Sequence, residues 1–183
     1  MIPLPVPPAV PTWDPSTCTG DIFLENNNST VLQRIIGYVT SHSMVLGAES
    51  VSRFSATLGT SLGAFASMRV GFITSASFKS SLPQRSLPQG WCVTFSNNGG
   101  EKQHNSYAFP FLPGSTVTAI HRASRGDINF KLTSKEGEDM LECNFHRVSH
   151  KNFHPFFACT YISGSNSYHG QNNAQKVELI RFC

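Results

Sequence analysis

The sequence predicts an all-β fold, an antiparallel β-sandwich, and three observations carry that expectation. Apolar and polar residues alternate with a period of two in several short runs, no helical periodicity separates them, and turn-forming residues punctuate them. Composition agrees. Charged residues make up only 14% of the chain and aromatic residues 11%, which argues against disorder. Few stretches combine lysine, glutamate, leucine and alanine, so helix propensity is poor. The 183 residues fit one domain. A chain of that length buries about two thirds of its unfolded surface and needs no disulfide or metal to fold.

Residues 1–12 read as a proline-rich arm and residues 13–183 as a single sandwich domain. Six prolines lie between Pro3 and Pro15, each fixing its backbone and removing a donor. Phe54, Ala56 and Leu58 then alternate with Arg53, Ser55 and Thr57. Met68, Val70 and Phe72 fall on one side of Arg69 and Gly71, and Trp91, Val93 and Phe95 oppose Cys92, Thr94 and Ser96. Ile128, Phe130 and Leu132 stand against Asp127, Asn129 and Lys131, and Leu141, Cys143 and Phe145 against Glu142, Asn144 and His146. Each pattern fits a strand with one buried face and one wet face. The turns Ser124-Arg125-Gly126-Asp127 and Lys135-Glu136-Gly137-Glu138 make 116–145 a three-stranded meander, and a last strand runs over Lys176–Phe182. Polar loops are expected at 75–90 and 163–175, and an aromatic loop at 101–113.

The net charge of +3 is not gathered into a basic stripe, which argues against nucleic-acid binding. No stretch approaches the roughly 20 apolar residues of a membrane-spanning helix. The prolines of MIPLPVPPAVP break up any secretion leader, and five scattered cysteines make an odd set. The expectation is an intracellular, cytoplasmic protein with reduced thiols.

Two stretches invite a chemical reading. Gly59-Thr60-Ser61-Leu62-Gly63 matches a nucleophile elbow, but that motif needs a strand-to-helix turn, and β-like runs flank it here. It reads as a glycine-flanked turn. Cys143, His146, His150, His154 and Cys159 are the right residue types for zinc. Their spacing by four aligns ligands only on a helix, whereas this stretch alternates as a strand, so no metal and no cofactor are expected. No paired carboxylates or phosphate loop occur, and the chain does not read as an enzyme.

Several segments, in order, resemble the SPRY superfamily, which includes PRY-SPRY and neuralized-type repeat domains. Trp13-Asp14-Pro15-Ser16-Thr17 is similar to the opening of the PRY segment, and Met68-Arg69-Val70-Gly71-Phe72 to a strand with an apolar-Gly-apolar step. Gly114 to Leu132, Phe153-His154-Pro155-Phe156-Phe157 and Val177-Glu178-Leu179 resemble the segments that follow. Phe54-Ser55-Ala56-Thr57 stands where PRY-SPRY proteins carry Trp-Glu-Val-Glu, and His121-Arg122 where an aspartate is usual. The resemblance implies a bent, jelly-roll-like sandwich that recognises a protein or peptide, often as an adaptor in ubiquitin-ligase complexes. Loops present function on a sandwich, so Arg85, Tyr107, Phe109, Tyr168 and His169 are the candidate partner contacts. Phe109, with Phe111, has the alternative of folding back to cap the core. Two other classes remain open: a structural subunit of a large assembly, and a glycan-binding jelly roll. The latter would need a tryptophan on a concave face with acids and amides around it, whereas Trp91 reads as core-facing.

Overall fold

The computed structural model describes residues 9–20, 22–34, 42–60, 65–82, 88–96, 105–161 and 176–183. Twelve strands among them form two packed sheets: β1 (Ile22–Glu25), β2 (Thr30–Arg34), β3 (His42–Leu46), β4 (Arg53–Leu58), β5 (Phe65–Ile73), β6 (Trp91–Ser96), β7 (Ser106–Pro110), β8 (Thr116–Arg122), β9 (Asp127–Thr133), β10 (Asp139–His146), β11 (His154–Tyr161) and β12 (Lys176–Phe182). The larger sheet runs β1-β2-β12-β4-β8-β9-β10 and the smaller β3-β11-β5-β6-β7. The fold class is the one the alternation predicts, and β8, β9 and β10 form the expected meander.

The inner faces meet in one core. Phe54, Ala56 and Leu58 of β4, Met68, Val70 and Phe72 of β5, Val93 and Phe95 of β6, and Ile128, Phe130 and Leu132 of β9 are all buried in it. Burying a side chain of this kind contributes about 1.5–3 kcal/mol. Phe54 meets Phe72 edge-on at 5.0 Å, an arrangement that adds to simple area burial. Gly71 lies where β5 and β6 come close: a Cβ there would stand 2.1 Å from the Trp91 carbonyl oxygen.

The segment around Trp13 closes the sandwich. Asp14 caps a 3-10 turn over Pro15–Thr17, its carboxylate accepting from the Ser16 amide at 2.9 Å. The buried Trp13 ring stacks on Phe182 of β12 at 4.1 Å, joining the beginning of the described domain to its last strand.

Three expectations need correction. Residues 75–90 are not simply loop: α1 (Ser75–Ser81) starts there, capped by Thr74, whose side chain accepts from the Ser77 amide. Residues 106–110 form β7, which pairs with β6 in parallel, so the sheets are not wholly antiparallel. The smaller sheet also lacks a simple wet face. Met44, Leu46, Ile73, Cys92, Phe156 and Ala158 project outward and bury Phe78 of α1 in a second apolar cluster.

Candidate recognition surface

Packing consumes most inward side chains, so the remaining outer faces, edges and loops are what a partner can meet. On the smaller sheet, α1 covers one part of the outer face. The rest carries hydroxyls in cross-strand pairs: half-buried Ser67 with Thr160 at 2.7 Å, and Thr94 with Ser106 at 2.9 Å, the latter two buried and out of a partner's reach. Half-buried Arg69 of β5 lies across from Thr94 and Ala158. Its guanidinium charge partly offsets the burial that pushes the Cys92 thiol up to about 11.

At the side of the sandwich, the edge strands β7 and β10 approach each other. Tyr107 pairs with Val93 in β7, so its ring points between the sheets and meets Phe145 of β10 edge-on at 4.9 Å. Its hydroxyl donates to the Asn144 carbonyl at 3.4 Å. On the outer face of β9–β10, Asn129 donates to Glu142 at 2.6 Å and to Asn144 at 2.8 Å. Further along, half-buried Trp91 packs on Phe153 and exposed His150, and buried His121 lies edge-on to Phe153. Burial lowers the pKa of His121, with nearby Asp127 acting in the opposite direction.

The candidate contacts therefore divide. Phe109 is only 5% exposed and packs on Phe95, so it belongs to the core and not to a binding loop. The physical reason is register: Phe109 and Tyr107 share the inward face of a strand where a loop was expected. Tyr107 is half-buried and seals the gap between sheets. Arg85, Tyr168 and His169 lie outside the described residues. Sequence reasoning passed over Arg69, whose only signal was a charge at the centre of an otherwise apolar alternating run.

The five candidate metal ligands are not brought together. Cys143 is buried on the inner face of β10, while His146 and His150 are exposed. His154 uses Nδ1 on the Gly47 carbonyl at 2.9 Å, and the buried Cys159 thiol donates to the Ser43 carbonyl at 3.6 Å. No group of three histidine, cysteine or acidic residues able to hold a metal occurs among the described residues. Gly59 is a packing position. Its amide donates to the Leu179 carbonyl, and a Cβ would lie 1.8 Å from the Glu178 carbonyl oxygen. Ser61, Leu62 and Gly63 lie outside the described residues.

The sequence matches no protein-family model and no curated protein. The fold matches solved structures along nearly its whole length. It aligns with the SPRY domain of human HERC1 at a TM-score of 0.55 and 12% identity, covering 93% of this chain and 96% of that one. The TRIM65 PSpry domain aligns at 0.55 and 14% identity, covering 96% and 92%. A Lotus tetragonolobus seed lectin aligns at 0.52 and 12% identity, covering 90% and 89%. At these identities the likeness is one of fold: the chain is a β-sandwich similar in fold to SPRY domains and to a seed lectin.

Proposed function

We propose that this chain is a recognition module that binds a peptide or protein partner through its loops, acting as an adaptor inside the cell, as in ubiquitin-ligase assemblies. The observation that carries this reading is the SPRY-like fold spanning nearly the whole chain. The inner faces of its strands are committed to packing, and the connections between strands are where a sandwich carries variable recognition. Arg85 lies between Pro83 and Pro88, and a stiff segment loses less entropy on binding. Tyr168 and His169 lie in a serine-, glycine- and asparagine-rich stretch, where a tyrosine offers a large contact area. All five cysteines are free thiols, which suits a reducing compartment.

The test is affinity capture from cell extract with quantitative mass spectrometry, comparing wild type with Arg85→Ala and with Tyr168→Ala/His169→Ala. The expected result is loss of one specific set of captured proteins with melting temperatures unchanged. Anchors of this kind cost about 2 kcal/mol or more when truncated, a depletion of tenfold or more. An identical captured set from all three proteins overturns the loop assignment.

A further inference from the structure

The edges of a sheet present unpaired backbone N–H and C=O groups, and native proteins blunt them. The four edges of this sandwich differ in how far that is done. β1 is only four residues long. β3 is covered: the amides of Asp14 and Thr19 donate to the carbonyls of Leu46 and Met44, and the hydroxyls of Thr17 and Thr19 accept from the amides of the same two residues. β7 has five residues and ends at Pro110. β10 is eight residues long and exposed along most of its length. It carries Met140 and Leu141 at 44% and 42% exposure, and the other large exposed apolar side chain among the described residues is Val10, outside the sheets.

We propose that β10 pairs antiparallel with β10 of a second copy of this chain, about a two-fold axis at Cys143, joining the two seven-stranded sheets into one. A two-fold axis perpendicular to the sheet keeps both inner faces on one side, so opposed residues must come from the same face. That condition requires a register centred on a residue, and centring on Glu142, Cys143 or Asn144 overlaps the two strands most fully. Centring on Glu142 sets two glutamates directly opposite each other, which is unfavourable. Centring on Asn144 sets Leu141 opposite Arg147. Centring on Cys143 sets Leu141 against Phe145 on the inner face and Glu142 against Asn144 on the outer face.

The charges along the strand fit the same register. Met140 is the extra residue at the register shift between Asp139 and Leu141, so Asp139 shares the outer face with Lys131, its ion-pair partner at 2.6 Å. That shift brings Asp139 opposite His146 of the second copy and beside its Arg147. The acidic end of one strand therefore meets the basic end of the other. Asp139 retains 67% of its side-chain exposure in the ion pair with Lys131, and such exposed pairs are weak. The Tyr107 hydroxyl bond to the Asn144 carbonyl is long and competes little with a second strand. A net charge of +3 gives only mild repulsion between copies.

The test is sedimentation equilibrium of the full chain, with hydrogen exchange of the β10 amides measured across the same concentrations. Wild type is expected to dimerise, with β10 protection rising with concentration while β1 protection stays constant. Leu141→Lys should weaken association by roughly tenfold or more, with an unchanged far-ultraviolet spectrum. Asp139→Arg should weaken it as well, and Asp139→Arg/His146→Asp should restore it. A wild-type monomer at sub-millimolar concentration overturns the proposal. So does a dimer that survives Leu141→Lys, or a concentration-dependent protection that falls on another strand. Failure of the double charge reversal to restore association overturns the Cys143-centred register.

Discussion

The outer face of the larger sheet and that of the smaller one are built differently, and the contrast explains what each contributes. On the larger sheet, β4 and β8 turn Ser55, Thr57, Thr116 and Thr118 to water in cross-strand hydroxyl pairs at 2.9 and 3.3 Å. Their inward neighbours Phe54, Ala56, Val117 and Ala119 are buried, so alternation is clean. On the smaller sheet, α1 lies over Ile73, Cys92 and Phe156, and Met44, Leu46 and Ala158 join the same cluster. Burial on both faces erases alternation: from Pro155 to Cys159 every residue of β11 is buried. A sheet packed on one side can present polar chemistry on the other, whereas a sheet packed on both holds its helix in place.

The largest effect that can break this contrast is at Phe156. Phe156→Ala should cost about 3–5 kcal/mol in denaturant unfolding, as a fully buried aromatic does. A loss below about 1 kcal/mol would mean that the outer face of the smaller sheet is wet. Next is the seal between the sheets. Tyr107→Ala removes the ring packed on Phe145 and should cost about 2 kcal/mol. Tyr107→Phe keeps the ring and should cost about 1 kcal/mol, the usual loss when a hydroxyl hydrogen bond is removed. Equal losses for the two variants would place the contribution in the hydroxyl.

A smaller effect depends on pH. Burial holds the folded-state pKa of His121 below its ordinary value of about 6.5, so the unfolded chain takes up the proton first. Stability contributed by neutral His121 is therefore complete above about pH 6.5 and declines as pH falls toward the depressed folded value. Titrating unfolding free energy across this range should show that slope, and His121→Phe should reduce it. A slope of equal size in the variant assigns it to other groups. The smallest effect belongs to the wet face: Thr118→Ala should change stability by less than about 0.5 kcal/mol.

The same contrast governs how much was legible in the sequence. β4, β8 and β9 each have one wet face, and their alternation is plain in Phe54-Ser55-Ala56-Thr57 and Ile128-Asn129-Phe130-Lys131. The final strand was legible to its bounds, Lys176–Phe182. β1, β2 and β3 are four or five residues long, too short to establish a period, and β2 is buried without alternation over Thr30–Gln33. In β11, Pro155 argues against a central strand. The helix α1 has seven residues, four of them serine, and only Phe78 and Ser81 are buried, so no amphipathic stripe could show. Thr74 with Ser77 was its one readable sign, a cap of the usual spacing. For the candidate surface, Tyr107 and Phe109 drew notice as aromatics among polar residues. A parallel strand buried against β6 cannot be told from such a loop by local pattern.

The position of β12 carries a consequence for how this domain comes to be. The last strand in sequence inserts between β2 and β4, which are near the beginning. Until it arrives, the larger sheet exists as two pieces, β1-β2 and β4-β8-β9-β10, with the edges of β2 and β4 unsatisfied. During synthesis the ribosome must therefore release Phe182 before Trp13 has its stacking partner and before the sheet can close. Completion is a late, long-range event, and contacts this distant in sequence make folding slow. Over that interval β2 and β4 present unpaired edges, the kind of surface on which a strand of another chain pairs.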